Sequence, residues 1–146
     1  MATDARGRLA AISVVTEGMS APAQHGGSAS GNLPLLLLEI RHALERLLDH
    51  GATHAIDLRA LPLGPGEEER LLETLGTGEL HASFDALGRS ELQECGYPGV
   101  WRVTHWNGAG ELIGRFIEVA FAPELLASDP EDVRAGLARL CADFAD

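Results

Sequence analysis

The sequence predicts an α+β domain, in which a mainly antiparallel, meandering sheet of about five strands has three helices packed on one face. Two observations point to this class. Apolar residues recur at helical spacing in three segments of the chain. Between the second and third of these segments, shorter runs of strand-forming residues are separated by turn signals. Strands joined by short turns pair as antiparallel neighbours, and the helices then cover one face.

The two ends of the chain differ in composition. Residues 1–31 are expected to form a flexible, disordered arm, because residues 20–32 are mostly Ser, Ala, Gly, Pro and Gln. Such a composition cannot bury enough apolar surface to offset the entropy lost on ordering. Residues 32–146 are expected to form a single domain, since this length suits one hydrophobic core.

The first helix is predicted over Asn32–His50. Asn32 is a favourable N-cap, Pro34 fits the first turn, where its missing N–H costs nothing, and Gly51 ends the helix. Leucine and isoleucine side chains recur every three or four residues and form a strongly apolar face, which is expected to pack on the core. A strand is predicted next, over Thr53–Leu61, where β-forming residues are frequent.

The second helix is predicted to begin after a Gly-Pro-Gly turn. Glu67, Glu68 and Glu69 fill its first turn, where the helix dipole favours carboxylates, and Gly76 ends it. Three adjacent glutamates could also indicate a metal site. Helix capping and solvation explain them more simply.

Four strands are predicted after this helix. Glu79–Leu87 alternates apolar and polar side chains, as a half-buried antiparallel strand does, and Ser90–Cys95 runs back beside it. A Tyr-Pro-Gly sequence at residues 97–99 interrupts the pairing, because proline lacks a backbone donor. Val100–Trp106 and Leu112–Ala122 then form a hairpin around a glycine-rich turn.

The third helix has clear signals at its N-terminus. Ser128 or Asp129 can cap it, and Pro130 lies in its first turn. Its apolar stripe consists of Val133, Leu137, Leu140, Cys141 and Phe144. This stripe is expected to face the core, so that Cys141 becomes a core residue.

The charge balance excludes some classes of partner. The chain has 22 acidic and 11 basic residues and a net charge of −11. Binding to nucleic acid or to an anionic membrane surface is disfavoured, whereas a soluble protein or a basic protein partner is compatible. No targeting segment or membrane span is visible, so a cytoplasmic location is expected.

No catalytic signature is present, and no cofactor is predicted. The six histidines are scattered without a recognised ligand spacing, and two cysteines are too few for a disulfide scaffold. Cys95, His81 and His105 would form a redox or metal-handling site only if the strands brought them together. This is the alternative function to be weighed against a binding role.

Aromatic residues cluster around the Tyr-Pro-Gly break. Tyr97, Trp101 and Trp106 fall within ten residues of one another, with Arg89 and Arg102 nearby. Tyr, Trp and Arg are enriched at binding hot spots. In a strand, successive side chains point to opposite faces, so one tryptophan could be core and the other exposed. Core packing and partner binding both remain open.

Several segments around this break resemble a known family. They are Gly78-Glu79, Gly88-Arg89-Ser90-Glu91-Leu92-Gln93-Glu94 and Tyr97-Pro98-Gly99-Val100-Trp101, with Ile56–Leu63 upstream and Ile117–Pro123 downstream. On these residues, the chain resembles the C-terminal domain of the hydrogenase expression/formation proteins called HupH, or HyaF in some bacteria. The resemblance covers roughly residues 33–145. Typical members are about twice as long, and Cys95-Gly96 and Arg102 depart from the usual pattern.

The resemblance implies a non-catalytic accessory protein or chaperone in maturation of [NiFe] hydrogenase. Its expected partner is the iron–sulfur small-subunit precursor before export through the twin-arginine route, with other maturation proteins as further candidates. A homodimer is also compatible with the sequence. The predicted partner-binding residues are Arg89, Glu91, Glu94, Tyr97, Trp101, Arg102 and Trp106.

Overall fold

The computed structural model describes residues 31–145, so the predicted arm lies almost entirely outside the described residues. The elements in chain order are α1 (Asn32–His50), β1 (His54–Asp57), α2 (Glu67–Leu75), β2 (His81–Asp85), β3 (Arg89–Glu94), β4 (Val100–Trp106), β5 (Leu112–Val119), a 3₁₀ turn (Glu124–Leu126) and α3 (Pro130–Asp143). The strands form one antiparallel sheet in the spatial order β1-β5-β4-β3-β2. The predicted α+β class, with five strands and three helices, is confirmed.

The sheet has two different faces. One face, here called the helix face, packs against α1 and α2, and its core includes Ile56, Val100 and Ile117. The other face, here called the open face, carries a second apolar cluster built on Leu92, Trp101 and Val103. Because side chains alternate along a strand, β4 contributes to both clusters.

Helix α1 forms most of the contact with the helix face. Leu36, Ile40, Ala43 and Leu47 are buried at helical spacing, as the apolar pattern predicted. The helix ends at Gly51, whose φ of 67° is left-handed and whose N–H donates to the Leu47 carbonyl. A glycine suits this conformation because it has no Cβ to clash.

Asn32 is not the N-cap that the sequence predicted. The helix already includes Asn32, and the preceding Gly31 provides no side-chain cap. Instead, the Asn32 amide donates to Glu67 Oε2 at 3.3 Å. The same carboxylate oxygen of Glu67 accepts from the Gly64 N–H at 2.6 Å. Asn32 therefore ties the start of α1 to the start of α2.

The three glutamates of α2 have three different environments. Glu67 is buried and organises the turn before α2, whereas solvation was expected. Glu68 forms an ion pair with Arg115 of β5 at 2.6 Å, which holds α2 against the sheet. Glu69 is exposed. Of the expected capping and solvation, solvation therefore does not apply to Glu67, which is buried and accepts from the Gly64 N–H.

Strand β1 is shorter than the predicted Thr53–Leu61. It ends at Asp57, whose carboxylate accepts from the Arg59 N–H at 2.9 Å. The Asp57 carbonyl also accepts from the Ala60 N–H at 3.2 Å. An aspartate that bonds to the backbone two residues ahead favours a turn, so the chain leaves the sheet here.

Helix α3 differs most from its prediction. Its N-cap is Asp129, whose carboxylate accepts from the Glu131 N–H at 2.7 Å. None of its residues is buried by the described part of the chain, and the predicted stripe faces solvent. Phe144 is 77% exposed, and Cys141 is exposed rather than in the core. The 3₁₀ turn covers part of the sheet instead, through Leu126.

Candidate partner-binding surfaces

The seven residues predicted to bind a partner do not form one surface. Alternation along β3 and β4 places Arg89, Glu91, Arg102 and Trp106 on the helix face, whereas Glu94 and Trp101 belong to the open face. Tyr97 lies in the turn that precedes β4.

Arg89, Glu91 and Trp106 form a compact group, here called the Arg89 cluster. The Arg89 guanidinium stacks 5.5 Å from the centroid of the Trp106 ring and donates to a carboxylate oxygen of Glu91. The Arg89 side chain is 60% exposed. A cation over an aromatic face contributes about 0.5–1 kcal/mol at an exposed site, so this cluster restrains the Arg89 side chain while leaving it largely exposed.

Trp101 is a core residue. Its side chain is 4% exposed within the open-face cluster, and its indole N–H donates to the Ala120 carbonyl at 3.1 Å. The carbonyl comes from the segment directly after β5. Trp101 thus anchors that segment to the sheet, and any influence of Trp101 on a partner acts through the fold.

Tyr97 is a second exposed aromatic residue among the predicted binding residues, far from the Arg89 cluster. Its ring is about half exposed, and its carbonyl accepts from the Val100 N–H at 3.0 Å, which closes the Tyr-Pro-Gly turn. Gly99 has a φ of 88°, and a Cβ there would lie 3.4 Å from Leu44 of α1. The turn therefore lies close to α1. Tyr97 and Trp106 stand at opposite ends of β4, about 20 Å apart along a strand of this length.

The alternative redox or metal-handling site does not assemble. Burial raises the pKa of the Cys95 thiol to about 11, although the nearby Arg102 charge lowers it. Cys95 packs in the helix-face core, whereas His105 bonds through Nδ1 to the Ser90 hydroxyl on the open face at 2.8 Å. His81 is opposite Gln93 on the outermost strand, β2. In residues 31–145, no three His, Cys, Asp or Glu side chains come together as a group that could hold a metal ion.

Two further surfaces were missed by the sequence interpretation. One is the exposed stripe on α3, which the sequence revealed but assigned to the core. The other is a groove on the open face, between β1 and β5 on one side and residues 124–130 on the other. Its apolar lining includes Ala55, Val103, Phe116 and Leu125. No local pattern could indicate this groove, because it joins three segments that are distant in sequence.

None of the helices between residues 31 and 145 combines the length and the apolar character that crossing a bilayer requires.

Comparison with known proteins identifies several relatives. The family described as "HupH hydrogenase expression protein, C-terminal conserved region" matches residues 31–145. The solved structure of the hydrogenase expression protein HupH from Thiobacillus denitrificans is 47% identical, with a TM-score of 0.73. The match covers 80% of this chain and 98% of that structure.

Two curated relatives are more distant. The hydrogenase expression/formation protein HoxQ of Cupriavidus necator is 29% identical over 109 residues, which cover 75% of this chain and 39% of HoxQ. HupQ of Azotobacter chroococcum is 28% identical over 107 residues, which cover 72% of this chain and 38% of HupQ. The matched region thus spans about two-fifths of the length of these relatives.

Proposed function

The chain belongs to the family of HupH hydrogenase expression proteins, whose C-terminal conserved region it contains, and from that premise we propose that it is a non-catalytic chaperone in [NiFe] hydrogenase maturation. Its partner in this proposal is the iron–sulfur small-subunit precursor, bound in the cytoplasm before export. The observation that carries the proposal is the family match over residues 31–145, supported by a 47%-identical HupH structure of the same fold.

The Arg89 cluster supports a binding role. It presents a guanidinium, a carboxylate and an indole on adjacent strands of a rigid sheet. Arg and Trp dominate binding hot spots because they combine a large contact area with directional polar groups. Tyr97 adds a separate exposed aromatic contact, so that an extended partner could touch both ends of β4.

The net charge supports a basic partner. With a charge of −11, the chain attracts positively charged segments, and export signals of the twin-arginine type contain them. Complementary charge raises the association rate and loses its effect as salt screens it. The proposed complex should therefore form fastest at low ionic strength.

The test is a titration of the full chain with the purified small-subunit precursor, at low and at high salt. Glu91→Arg reverses a charge in the Arg89 cluster and releases Arg89 from its partner. The matched control is Glu45→Arg on the exposed side of α1, where Glu45 likewise pairs with an arginine, Arg41. We expect Glu91→Arg to weaken binding about tenfold or more, equivalent to about 1.4 kcal/mol, and Glu45→Arg to change it much less.

Each of three outcomes would contradict a different part of the proposal. No binding of the precursor at low salt would exclude this partner. Binding that does not change with salt would exclude the electrostatic contribution. Equal effects of the Glu91 and Glu45 variants would exclude the Arg89 cluster as the contact surface, provided that circular dichroism shows both variants to be folded.

A further inference from the structure

The described residues of one chain present two apolar surfaces, the stripe on α3 and the groove on the open face, and neither surface covers the other. The stripe on α3 consists of Val133, Leu137, Leu140 and Phe144, each more than half exposed. Their spacing of four, three and four residues places them on one side of the helix. An apolar helix face that residues 31–145 leave uncovered is unusual, since packing of that face provides most of the stability of a helix.

The groove on the open face has a partly apolar lining on which this stripe could pack. Its floor is formed by Ala55, Val103 and Phe116, and Leu125 forms part of its wall. Phe116 packs at the edge of the open-face cluster without being fully buried. The groove spans β1, β5 and β4. Three strands about 4.8 Å apart cover about 10 Å, which is about the length of two turns of a helix.

The connection to α3 prevents a simple intramolecular contact. Residues 127–130 form one wall of the groove and lead directly into α3. Ala127 and Asp129 are both extended, with ψ of 134° and 136°, and Asp129 caps the helix in its observed direction. To enter its own groove, α3 would have to reverse its direction within these few residues and lose this geometry. The helix of a second molecule meets no such constraint.

We propose that two copies of this chain form a dimer by reciprocal exchange, in which the α3 stripe of each copy occupies the open-face groove of the other. The arrangement has two-fold symmetry, so that both stripes and both grooves are covered and the assembly closes. The occupant of each groove is thus α3 of the second copy. This inference does not depend on the hydrogenase precursor.

Charge and area are consistent with this occupant. The groove carries the carboxylates of Glu118 and Glu124. Arg134 lies beside the stripe, next to Val133, where it pairs with Glu131 of its own helix, and its side chain is 69% exposed. In the dimer these groove carboxylates would be additional partners for its guanidinium. A stable interface of standard size buries about 800 Å² on each partner, and reciprocal exchange divides this area between two helix–groove contacts.

Light scattering during size exclusion of the full chain tests the dimer. We expect a mass of twice the 15.5 kDa of one chain. Leu137→Glu puts a charge in the stripe and should give a monomer, whereas the control Ala135→Glu, on the opposite side of α3, should leave the dimer intact. Both positions are exposed, so the monomer fold is retained. Ala55→Arg, which fills the exposed floor of the groove, should also give a monomer.

A mixture of two variants distinguishes this exchange from other dimers. Leu137→Glu retains an intact groove, and Ala55→Arg retains an intact stripe. Mixing them should restore one of the two contacts and produce a weaker mixed dimer. If α3 paired with α3 of the second copy instead, Ala55→Arg would have no effect on the mass. That result, or a monomeric wild-type chain at all concentrations, would overturn the proposal.

Cysteine crosslinking reports the contact directly. Cys141 is exposed beside the stripe, whereas Cys95 is buried. In the variant Ala55→Cys, mild oxidation with copper phenanthroline should join the introduced thiol in the groove of one chain to Cys141 of a second chain. The product is a disulfide-linked dimer, visible on a non-reducing gel. A disulfide within one chain would show that α3 occupies its own groove and would overturn the exchange. A Cys141–Cys141 dimer in the wild type would favour pairing of the two α3 helices and would overturn it as well.

Discussion

Helices α1 and α3 have a similar spacing of apolar residues but opposite environments. Both carry apolar residues at a spacing of three or four, and both begin with clear N-terminal signals. Yet α1 buries four residues against the sheet, whereas none of α3 is buried by the described chain. An apolar stripe therefore indicates which side of a helix packs against another surface, but it does not identify that surface.

The connections of the two helices explain the difference. Only three residues separate α1 from β1, and β1 is held to β5 by an antiparallel ladder, so α1 must lie over the sheet. Between β5 and α3, ten residues intervene. Within that connection, Trp101 holds Ala120, and Leu126 packs on the open face. The connecting segment itself thus contacts the sheet, and α3 begins only after that contact.

The largest expected effect is on the free energy of unfolding, when one leucine of α1 and one leucine of α3 are each truncated to alanine. Leu47→Ala removes a buried side chain from the α1 contact and should lower the free energy of unfolding by about 2–5 kcal/mol. Leu137→Ala removes an exposed side chain and should change the stability of the monomer by no more than about 0.5 kcal/mol. Urea denaturation at several protein concentrations measures both.

The concentration series separates folding from assembly. The effect of Leu47→Ala should be the same at every concentration, because the contact lies within one chain. Leu137→Ala should reduce the dependence of the midpoint on concentration, because it weakens the proposed dimer. An equal, concentration-independent loss in both variants would show that α3 packs on its own domain.

The effect of intermediate size is the difference in thiol reactivity between Cys95, under α1, and Cys141, on α3. Burial of Cys95 in the α1 contact raises its pKa to about 11, whereas Cys141 on α3 is exposed. At pH 8, Cys141 should react with iodoacetamide while Cys95 stays unmodified, because the thiolate is the reactive form. Mass spectrometry of peptides from the native chain checks this. Modification of Cys95 at a comparable rate would show that the core under α1 opens readily.

The raised pKa also has a consequence for stability. The folded state keeps Cys95 protonated, while the unfolded thiol has a pKa of 9.0. Stability from this group is therefore fully present below about pH 9 and is lost as pH rises through the folded value of about 11. The loss approaches about 2–3 kcal/mol. Cys95→Ala is the control, and its unfolding free energy should fall less than that of the wild type over this pH range.

The smallest expected effect concerns the cap of α3. Asp129→Ala removes the acceptor of the Glu131 N–H and should cost α3 about 1 kcal/mol. Because α3 does not pack on the described domain, the loss should appear as faster hydrogen exchange in α3 alone. Exchange of the α1 amides should not change. Faster exchange throughout both helices would show that the two helices unfold as one unit.

Much of the fold could be predicted from the pattern of the chain. The α+β class, the number of strands and helices, the Gly51 end of α1 and the Asp129 cap all depend on local chemistry. Two of the errors, at the start of α1 and at the end of β1, occurred where a side chain bonded to a distant or unexpected partner. Asn32 bonds to Glu67, 35 residues away, and Asp57 bonds forward to Arg59 and ends β1 early.

The candidate site was predicted less well, for a geometric reason. Arg89 and Trp106 were named from the residue types of binding surfaces and Glu91 from the segment that resembles the family, and the structure brings these three together. Trp101 was named on the same grounds, but the period of a strand turns it to the opposite face and into the core. Residue type alone could not separate the two tryptophans, since the face assignment requires knowledge of which side the helices cover.

The sequence by itself determined the order of helices, turns and strands, and its resemblance on the segments around Tyr97 predicted the family to which the chain belongs. These properties depend on residues that are neighbours along the chain. Tertiary structure alone decided that Trp101 is buried, that Cys95 and His105 are apart, and that the α3 stripe faces away from its own sheet. These outcomes depend on the distances between segments that are far apart in sequence, and local periodicity carries no information about such distances.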